Sequence, residues 1–196
     1  MLKNYFKKKS KFAIAVDIFI VVMLILLVIP ATRKNTAALI IKSTLIVHQP
    51  KINKEKPQLN TETYNWQLQD LQGNTILFEN LKNKVVFINL WATWCPPCIA
   101  ELPDLQKLYN QYGDKVTFLF ISNEDPAVIS AFLEKRDFDI PAYIPVSQYP
   151  ADFETNSIPT SFLIDKKGKI VIDKKGVAKW NSKRIKSVLD VLLNQQ

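Results

Sequence analysis

Cysteine and histidine are the scarce residues of this chain. Its 196 residues include two cysteines, Cys95 and Cys98, and a single histidine, His48. A zinc site needs about four ligands, and two cysteines with a single histidine out in the linker are a poor match to that class. No histidine stands between the cysteines, and the dipeptide that does, Pro96-Pro97, has no backbone N–H to offer. No cysteine lies near the end of the first apolar run, which excludes a lipid-anchored lipoprotein. Internal repeats and low-complexity segments are absent. An excess of one charge sign is missing too, once the charge is located. The net charge is +8, yet residues 1–56 hold 11 of the 26 Lys and Arg and only 2 of the 18 Asp and Glu. The rest of the chain carries 15 basic against 16 acidic groups, so nucleic acid is not an expected partner.

What is present begins with an apolar run, Phe12 to Pro30, broken only by Asp17. As a helix its 19 residues would reach about 28 Å, close to the hydrocarbon thickness of a bilayer. Lys3, Lys7, Lys8, Lys9 and Lys11 precede it, whereas Arg33 and Lys34 follow. That asymmetry places the N-terminus in the cytoplasm and the remainder outside. The run is long for a signal peptide and has no small-x-small cleavage site, so a retained anchor in the lipid bilayer is the expectation. The expected organisation is a basic tail (1–11), a transmembrane anchor (12–30), a linker (31–57) and a folded domain (58–196). Within the linker, Ala37 to Val47 is apolar but too short to span again, and Lys51 to Pro57 reads as a polar spacer.

The folded part, with 47% hydrophobic and 22% charged residues over the whole chain, has the composition of a globular core. Tyr64 to Leu68 and Thr75 to Phe78, around Gly73, predict a β-hairpin. Lys84 to Trp91 is a continuous apolar run, as for a strand buried on both faces. Cys98, Leu102, Leu105, Leu108 and Tyr112 recur at helical spacing, with Gly113 ending the helix and Pro103 expected to kink it. Val116 to Ile121 predicts a second buried strand. Asp125-Pro126 opens a helix faced by Val128, Ile129, Phe132 and Leu133. Ala142 to Val146 predicts a short strand, with Pro145 arguing for an edge or an irregular end. Pro150 to Glu154 predicts a helical turn, and Thr160 to Ile172 a hairpin with its turn at Gly168. Ser182 caps a last helix faced by Ile185, Val188, Leu189 and Leu192. This order implies an α/β fold with a mixed sheet and helices on both faces.

The chemistry concentrates at Val85 to Glu101, VVFINLWATWCPPCIAE. Two thiols spaced i, i+3 at a strand-to-helix turn can close a disulfide within one helical turn. The first also meets the partial positive charge of the helix N-terminus, which favours the thiolate, the attacking species in thiol–disulfide exchange.

The segment Asn89-Leu90-Trp91-Ala92-Thr93-Trp94-Cys95-Pro96-Pro97-Cys98, the following Glu101-Leu102-Pro103, and Ile158-Pro159-Thr160-Ser161-Phe162-Leu163-Ile164-Asp165 together resemble the thioredoxin-like superfamily. Within it the likeness is to the membrane-tethered TlpA/ResA family, over about Gln58 to Leu193. The resemblance implies a thioredoxin-like fold with a central mixed sheet flanked by helices, an N-terminal β-hairpin extension and an inserted strand and helix. It implies thiol–disulfide oxidoreductase activity with no cofactor beyond a Cys95–Cys98 disulfide. Cys95 would be the exposed nucleophile, Cys98 the more buried resolving thiol, and Pro159 a cis-proline that sets the Ile158 backbone beside Cys95 to pair with the substrate chain. Trp94 and Pro96 would shape the surface that substrates meet. Cytoplasmic-type thioredoxins carry a buried aspartate where this chain has Asn89. Glu101 matches the glutamate of the TlpA/ResA branch, and is expected as a partly buried carboxyl of raised pKa that takes the proton of Cys98.

Because Pro96 and Pro97 cannot donate to a Cys95 thiolate, the reduced form lacks the stabilisation that a strong oxidant needs, and a reducing dithiol is expected. Its partners would be protein disulfides outside the cytoplasm, apocytochrome c among the candidates, and a membrane electron donor of the thiol-transporting type. Two other classes compete. A copper(I) metallochaperone would use the two thiolates. An anchored interaction module would use the disulfide structurally, although so small a loop stabilises little through chain entropy.

Overall fold

In the computed structural model, residues 11–28, 49–53, 55 and 57–195 are described. The chain divides into two units, 1–42 and 43–196, each taken by itself. In the first, helix α1 spans Lys11–Val28. Among the described residues no helix is long and apolar enough to cross a membrane. The expected span runs two residues past the end of α1, and the basic tail to Ser10, the apolar stretch Ala37 to Val47 and His48 lie outside the described residues.

The second unit is built on a seven-stranded sheet of order β2-β1-β5-β4-β3-β6-β7. The strands are β1 (Gln67–Asp70), β2 (Thr75–Leu77), β3 (Val86–Leu90), β4 (Thr117–Ile121), β5 (Ala142–Pro145), β6 (Thr160–Ile164) and β7 (Ile170–Lys175). The helices are α2 (Pro96–Tyr112), α3 (Pro126–Arg136) and α4 (Lys183–Leu193). β3 pairs parallel with β4, and β4 with β5, while the other pairs are antiparallel. The sheet is therefore mixed. Every residue of β3 is buried, and its side chains alternate between two apolar clusters. Phe87, and Trp91 just past the strand, face one, and Val86, Ile88 and Leu90 the other.

All three helices of this unit send their buried residues to the first cluster, Leu102, Leu105, Ile129, Leu133, Ile185 and Leu189 among them. The second cluster is closed by Leu59, Trp66, Phe78, Leu81 and Phe153, contributed by short 3₁₀ turns and their flanks. The expectation of helices on both faces is thus corrected. β3, β4 and β5 are laid down in one direction, and right-handed crossovers between successive parallel strands then place α2 and α3 on the same side.

Other local expectations shift for identifiable reasons. The alternation from Tyr64 belongs not to a strand but to a 3₁₀ turn, Thr61–Asn65. The Asp152 carboxylate holds that turn: it accepts from the Asn60 N–H at 2.8 Å, from Asn60 Nδ2 at 2.7 Å and from the Thr63 hydroxyl. The hairpin starts only at Gln67, and its turn is closed by Asp70, which accepts from the N–H groups of Gln72 and Asn74 beside Gly73 at φ +92°. β5 is an interior strand, not an edge. Tyr143 C=O accepts from Ser122 N–H on the β4 side, and Val146 N–H donates to Gln67 on the β1 side. Pro145, of the same parity as Tyr143, turns its nitrogen past the last paired residue of β4, so no ladder bond is lost. Helix α2 runs through Pro103, which lies on its exposed side, where the Ile99 carbonyl it leaves free can meet water.

Described residues of the polar spacer also bond to the domain. Asn53 N–H donates to Val171 O at 2.8 Å, Ile170 N–H to Pro57 O at 2.8 Å, and Leu59 N–H to Gly168 O at 2.9 Å. These bonds lie along the outer side of β7, where a one-residue register shift against β6 turns an extra carbonyl outward.

Replacing Asp152 with alanine releases three donors at once and should lower stability by about 1–3 kcal/mol. Urea denaturation of Asp152→Ala against the parent checks this, and an unchanged midpoint would refute the role given to the carboxylate.

Candidate active site

The site forms where β3 ends. Trp91 N–H still donates to Ile121 O at 3.0 Å, after which the chain leaves the sheet through Ala92-Thr93-Trp94. Glu124, in the β4–α3 connection, ties that loop down. Its carboxylate accepts from the Thr93 N–H at 2.7 Å, the Thr93 hydroxyl at 2.6 Å and the Ser122 hydroxyl at 3.0 Å. Cys95 is the N-cap of α2, with its sulfur accepting from the Cys98 N–H at 3.2 Å. Pro96 and Pro97 occupy the first helical positions, where a missing N–H costs no helical bond.

Cys95 and Cys98 are joined in a disulfide with Cα atoms 5.3 Å apart. The two residues are 3% and 1% exposed, so the expectation of an exposed Cys95 is corrected for this oxidised form. The capping role folds its sulfur over the helix mouth, and the Ile158 carbonyl lies 3.9 Å from Sγ on the other side. The Ile158–Pro159 bond is cis. Pro159 is buried, Ile158 half-buried, Pro96 exposed, and Trp94 stands 70% exposed beside the disulfide. A cleft of about 730 Å³ opens alongside, lined by Ala92, Trp94, Glu124, Tyr149, Glu154 and Ile158 among others.

Behind the disulfide lies a carboxyl with no access to water. Glu101 is 0% exposed, fully rather than partly buried as the sequence had suggested, because the β7–α4 connection closes over it. Its Oε1 accepts from Asn89 Nδ2 at 2.9 Å and its Oε2 from the Ala178 N–H at 3.2 Å. Loss of hydration pushes its pKa from 4.5 up to about 8. The Ala178 and Asn89 donors, the nearby Trp180 indole and the positive charge of Lys174 offset only part of that rise. The indole N–H of Trp180 makes no hydrogen bond of ordinary geometry. Near neutral pH the carboxyl therefore holds its proton in the oxidised protein.

The disulfide at the helix mouth, the cis-proline strand against it and the carboxyl beneath all fall within a stretch that a known family model matches. The redoxin family model covers residues 50–192. The chain belongs to the redoxin family. Its relatives place this redoxin with the ResA-type thiol-disulfide oxidoreductases. One such protein, ResA of Bacillus anthracis, is 37% identical over 122 residues, 61% of this chain and 70% of that one. The thioredoxin-like protein YneN of Bacillus subtilis (strain 168) is 31% identical over 128 residues, 63% of this chain and 74% of its own. Among solved structures, a Bacteroides vulgatus protein described as a candidate thiol-disulfide oxidoreductase superposes with TM-score 0.53 at 30% identity. That match covers 64% of this chain and 90% of the other.

Sequence reasoning missed three contributors to the redoxin site. Ala178 acts through its backbone, 77 residues from Glu101, and no side-chain pattern signals that. Glu124 sits in a connection whose fold was not predicted, although Ser122, two residues before it, hints at a polar turn. Ser161 donates nothing recognisable in sequence, yet its hydroxyl receives the second hydrogen of Asn89 Nδ2 at 2.9 Å. Among the described residues no group of three or more His, Cys, Asp and Glu side chains is gathered to hold a metal ion.

The buried carboxyl makes stability depend on pH. Glu101 keeps its proton in the folded state up to about pH 8, whereas the unfolded chain gives it up near 4.5. This group's contribution therefore falls as pH rises between those values and levels off above them. Glu101→Gln lacks the titration. Its stability relative to the parent, from urea midpoints of the oxidised proteins, should increase from pH 5 to pH 9, and an equal difference at both values would overturn the assignment.

Proposed function

We propose that this thiol-disulfide oxidoreductase reduces protein disulfides outside the cytoplasm, with Cys95 as nucleophile, Cys98 as resolving thiol and Glu101 as proton carrier. The observation that carries the reading is the sealed Glu101 carboxyl on the helix that the Cys95–Cys98 disulfide opens. In the reduced protein the Cys95 thiolate attacks one sulfur of the substrate disulfide. A mixed disulfide forms and the other substrate sulfur leaves as a thiolate that takes up a proton. Cys98 then gives its proton to the Glu101 carboxylate and attacks Cys95 Sγ. The mixed disulfide breaks, the second substrate sulfur leaves as a thiolate that takes a proton from solvent, and the enzyme ends with its own disulfide and a protonated Glu101. A carboxyl whose proton is held up to about pH 8 in the oxidised form suits that end point. A dithiol donor restores the reduced enzyme by the reverse exchange, in which Glu101 returns the proton to Cys98.

The substrate chain would lie in the cleft beside Trp94 and Pro96, pairing its backbone with Ile158 ahead of the cis Pro159. Reduction is favoured over oxidation because the Pro96-Pro97 dipeptide offers no N–H to a Cys95 thiolate. The domain would be held at the outer face of the cytoplasmic membrane by the apolar run from Phe12 to Pro30. Support for this comes from its length and the lysines before it. A membrane-embedded thiol-transporting donor and an apocytochrome substrate fit that address.

Cys98→Ala should trap the first intermediate. Incubated with an oxidised Cys-x-x-Cys-His peptide of the apocytochrome type, it should accumulate a dithiothreitol-sensitive adduct through Cys95, and Cys95→Ala should form none. Equal adducts in both variants would remove the assigned roles. A reduction potential of the native pair near that of the strong periplasmic oxidants, about −120 mV, would reverse the direction.

A further inference from the structure

Asn89 is the fourth of five residues in β3, on the side that faces the helices, between Phe87 and Trp91. It is 1% exposed. Its amide nitrogen spends both hydrogens, one on Glu101 Oε1 and one on Ser161 Oγ, each at 2.9 Å. Its amide oxygen has no hydrogen-bond partner among the described residues. A buried acceptor without a donor is unfavourable, and an aliphatic side chain in this strand would avoid it. The fold tolerates the stranded oxygen while keeping both donated bonds, and local rules are broken in this way chiefly at functional positions.

The partner on the far side is equally constrained. Ser161 lies directly opposite Asn89 in the antiparallel β3–β6 pairing, so the two side chains share a face and meet by register alone. Ser161 is two residues beyond the cis Pro159. With one hydrogen held by the hydroxyl, the amide plane is set and its other hydrogen is aimed at Glu101.

We propose that Ser161 and Asn89 are positioning residues for the Glu101 proton: the chain Ser161 Oγ, Asn89 Nδ2, Glu101 Oε1 sets how readily that carboxyl exchanges a proton with Cys98. This rests on the reading above that Glu101 carries the Cys98 proton. An N–H donated to a carboxylate favours the charged form, and burial opposes it. The Asn89 donor therefore brings the proton affinity of a sealed carboxyl down toward the range where exchange with a thiol runs both ways. The other groups facing Glu101 are the Ala178 N–H and the Trp180 indole from the β7–α4 connection and the Lys174 ammonium from β7. Cys98, one turn earlier on α2, is silent in the oxidised protein because a disulfide does not titrate.

The test titrates the glutamate carboxyl carbons of the full oxidised chain by ¹³C NMR, with Glu101→Gln identifying the Glu101 signal. Asn89→Leu should raise the Glu101 inflection by about one pH unit, about tenfold in proton affinity. Ser161→Ala, which frees the amide plane without removing the donor, should raise it by less. The pH dependence of mixed-disulfide release should move with it in each variant. A purely structural role would alter the denaturation midpoint and leave both inflections in place. Inflections equal to the parent's in both variants would overturn the proposal, as would that result for Ser161→Ala alone should Asn89→Leu fail to fold. A release profile unaffected by Glu101→Gln would instead remove the reading beneath it, whatever the titration of Asn89→Leu shows.

Discussion

A carboxyl kept from water inside the helix-facing core is the constraint around which this domain is arranged. Glu101 has to be reached by hydrogen-bond donors from other elements, because its own helix offers it none. β3 supplies one through Asn89, and the connection between β7 and α4 supplies another through Ala178. Both donors hold only while β3, β6 and β7 keep their register and α2 stays seated on Leu102, Leu105 and Leu108. The same seating brings the mouth of α2 against the Ile158 carbonyl. Proton site and sulfur site are thus two ends of a single packing arrangement.

The proton site explains why β3 is buried on both faces. One face must carry the polar pair Asn89–Ser161, and an amide exposed there would be answered by water and would not hold a fixed direction. The opposite face is filled by Val86, Ile88 and Leu90 against Trp66, Phe78 and Phe153, so the strand cannot tilt to relieve the stranded amide oxygen. Aromatic rings dominate that closure: Phe153 lies 5.5 Å from Trp66, 5.6 Å from Phe78 and 5.2 Å from Phe162 between ring centroids. They do the work that helices would do in a doubly covered sheet.

Much of this was legible in the residues. The run from Val85 to Leu90 reads as a buried strand because no polar residue but Asn89 interrupts it, and the caps Asp125 and Ser182 stand where their side chains accept helix N–H groups. The resemblance carried by Trp94 to Cys98 and Ile158 to Pro159 pointed to residues that the fold brings together at Cys95. What failed was whatever depends on partners distant in sequence. Tyr64 alternates like a strand residue, but Asp152, 89 residues beyond Thr63, holds that segment in a turn. Glu101 looks half-exposed on a helical wheel, and only the chain passing at Ala178 seals it. The placement of helices on one face follows from strand order, which no local pattern encodes.

The segment from Asn53 to Leu59 has a bearing on how the domain can be isolated. Its residues Asn53, Pro57 and Leu59 bond along β7, the last strand of the sheet, and satisfy backbone groups that would otherwise face outward. At the other end β2 has only three residues and offers little for a stranger to pair with. A fragment cut at Gln58 would bare the long border of the sheet and invite neighbouring copies to stack edge to edge. One cut ahead of Lys51 keeps the border closed, so the sensible start of a soluble piece lies upstream of where the globular pattern first shows itself.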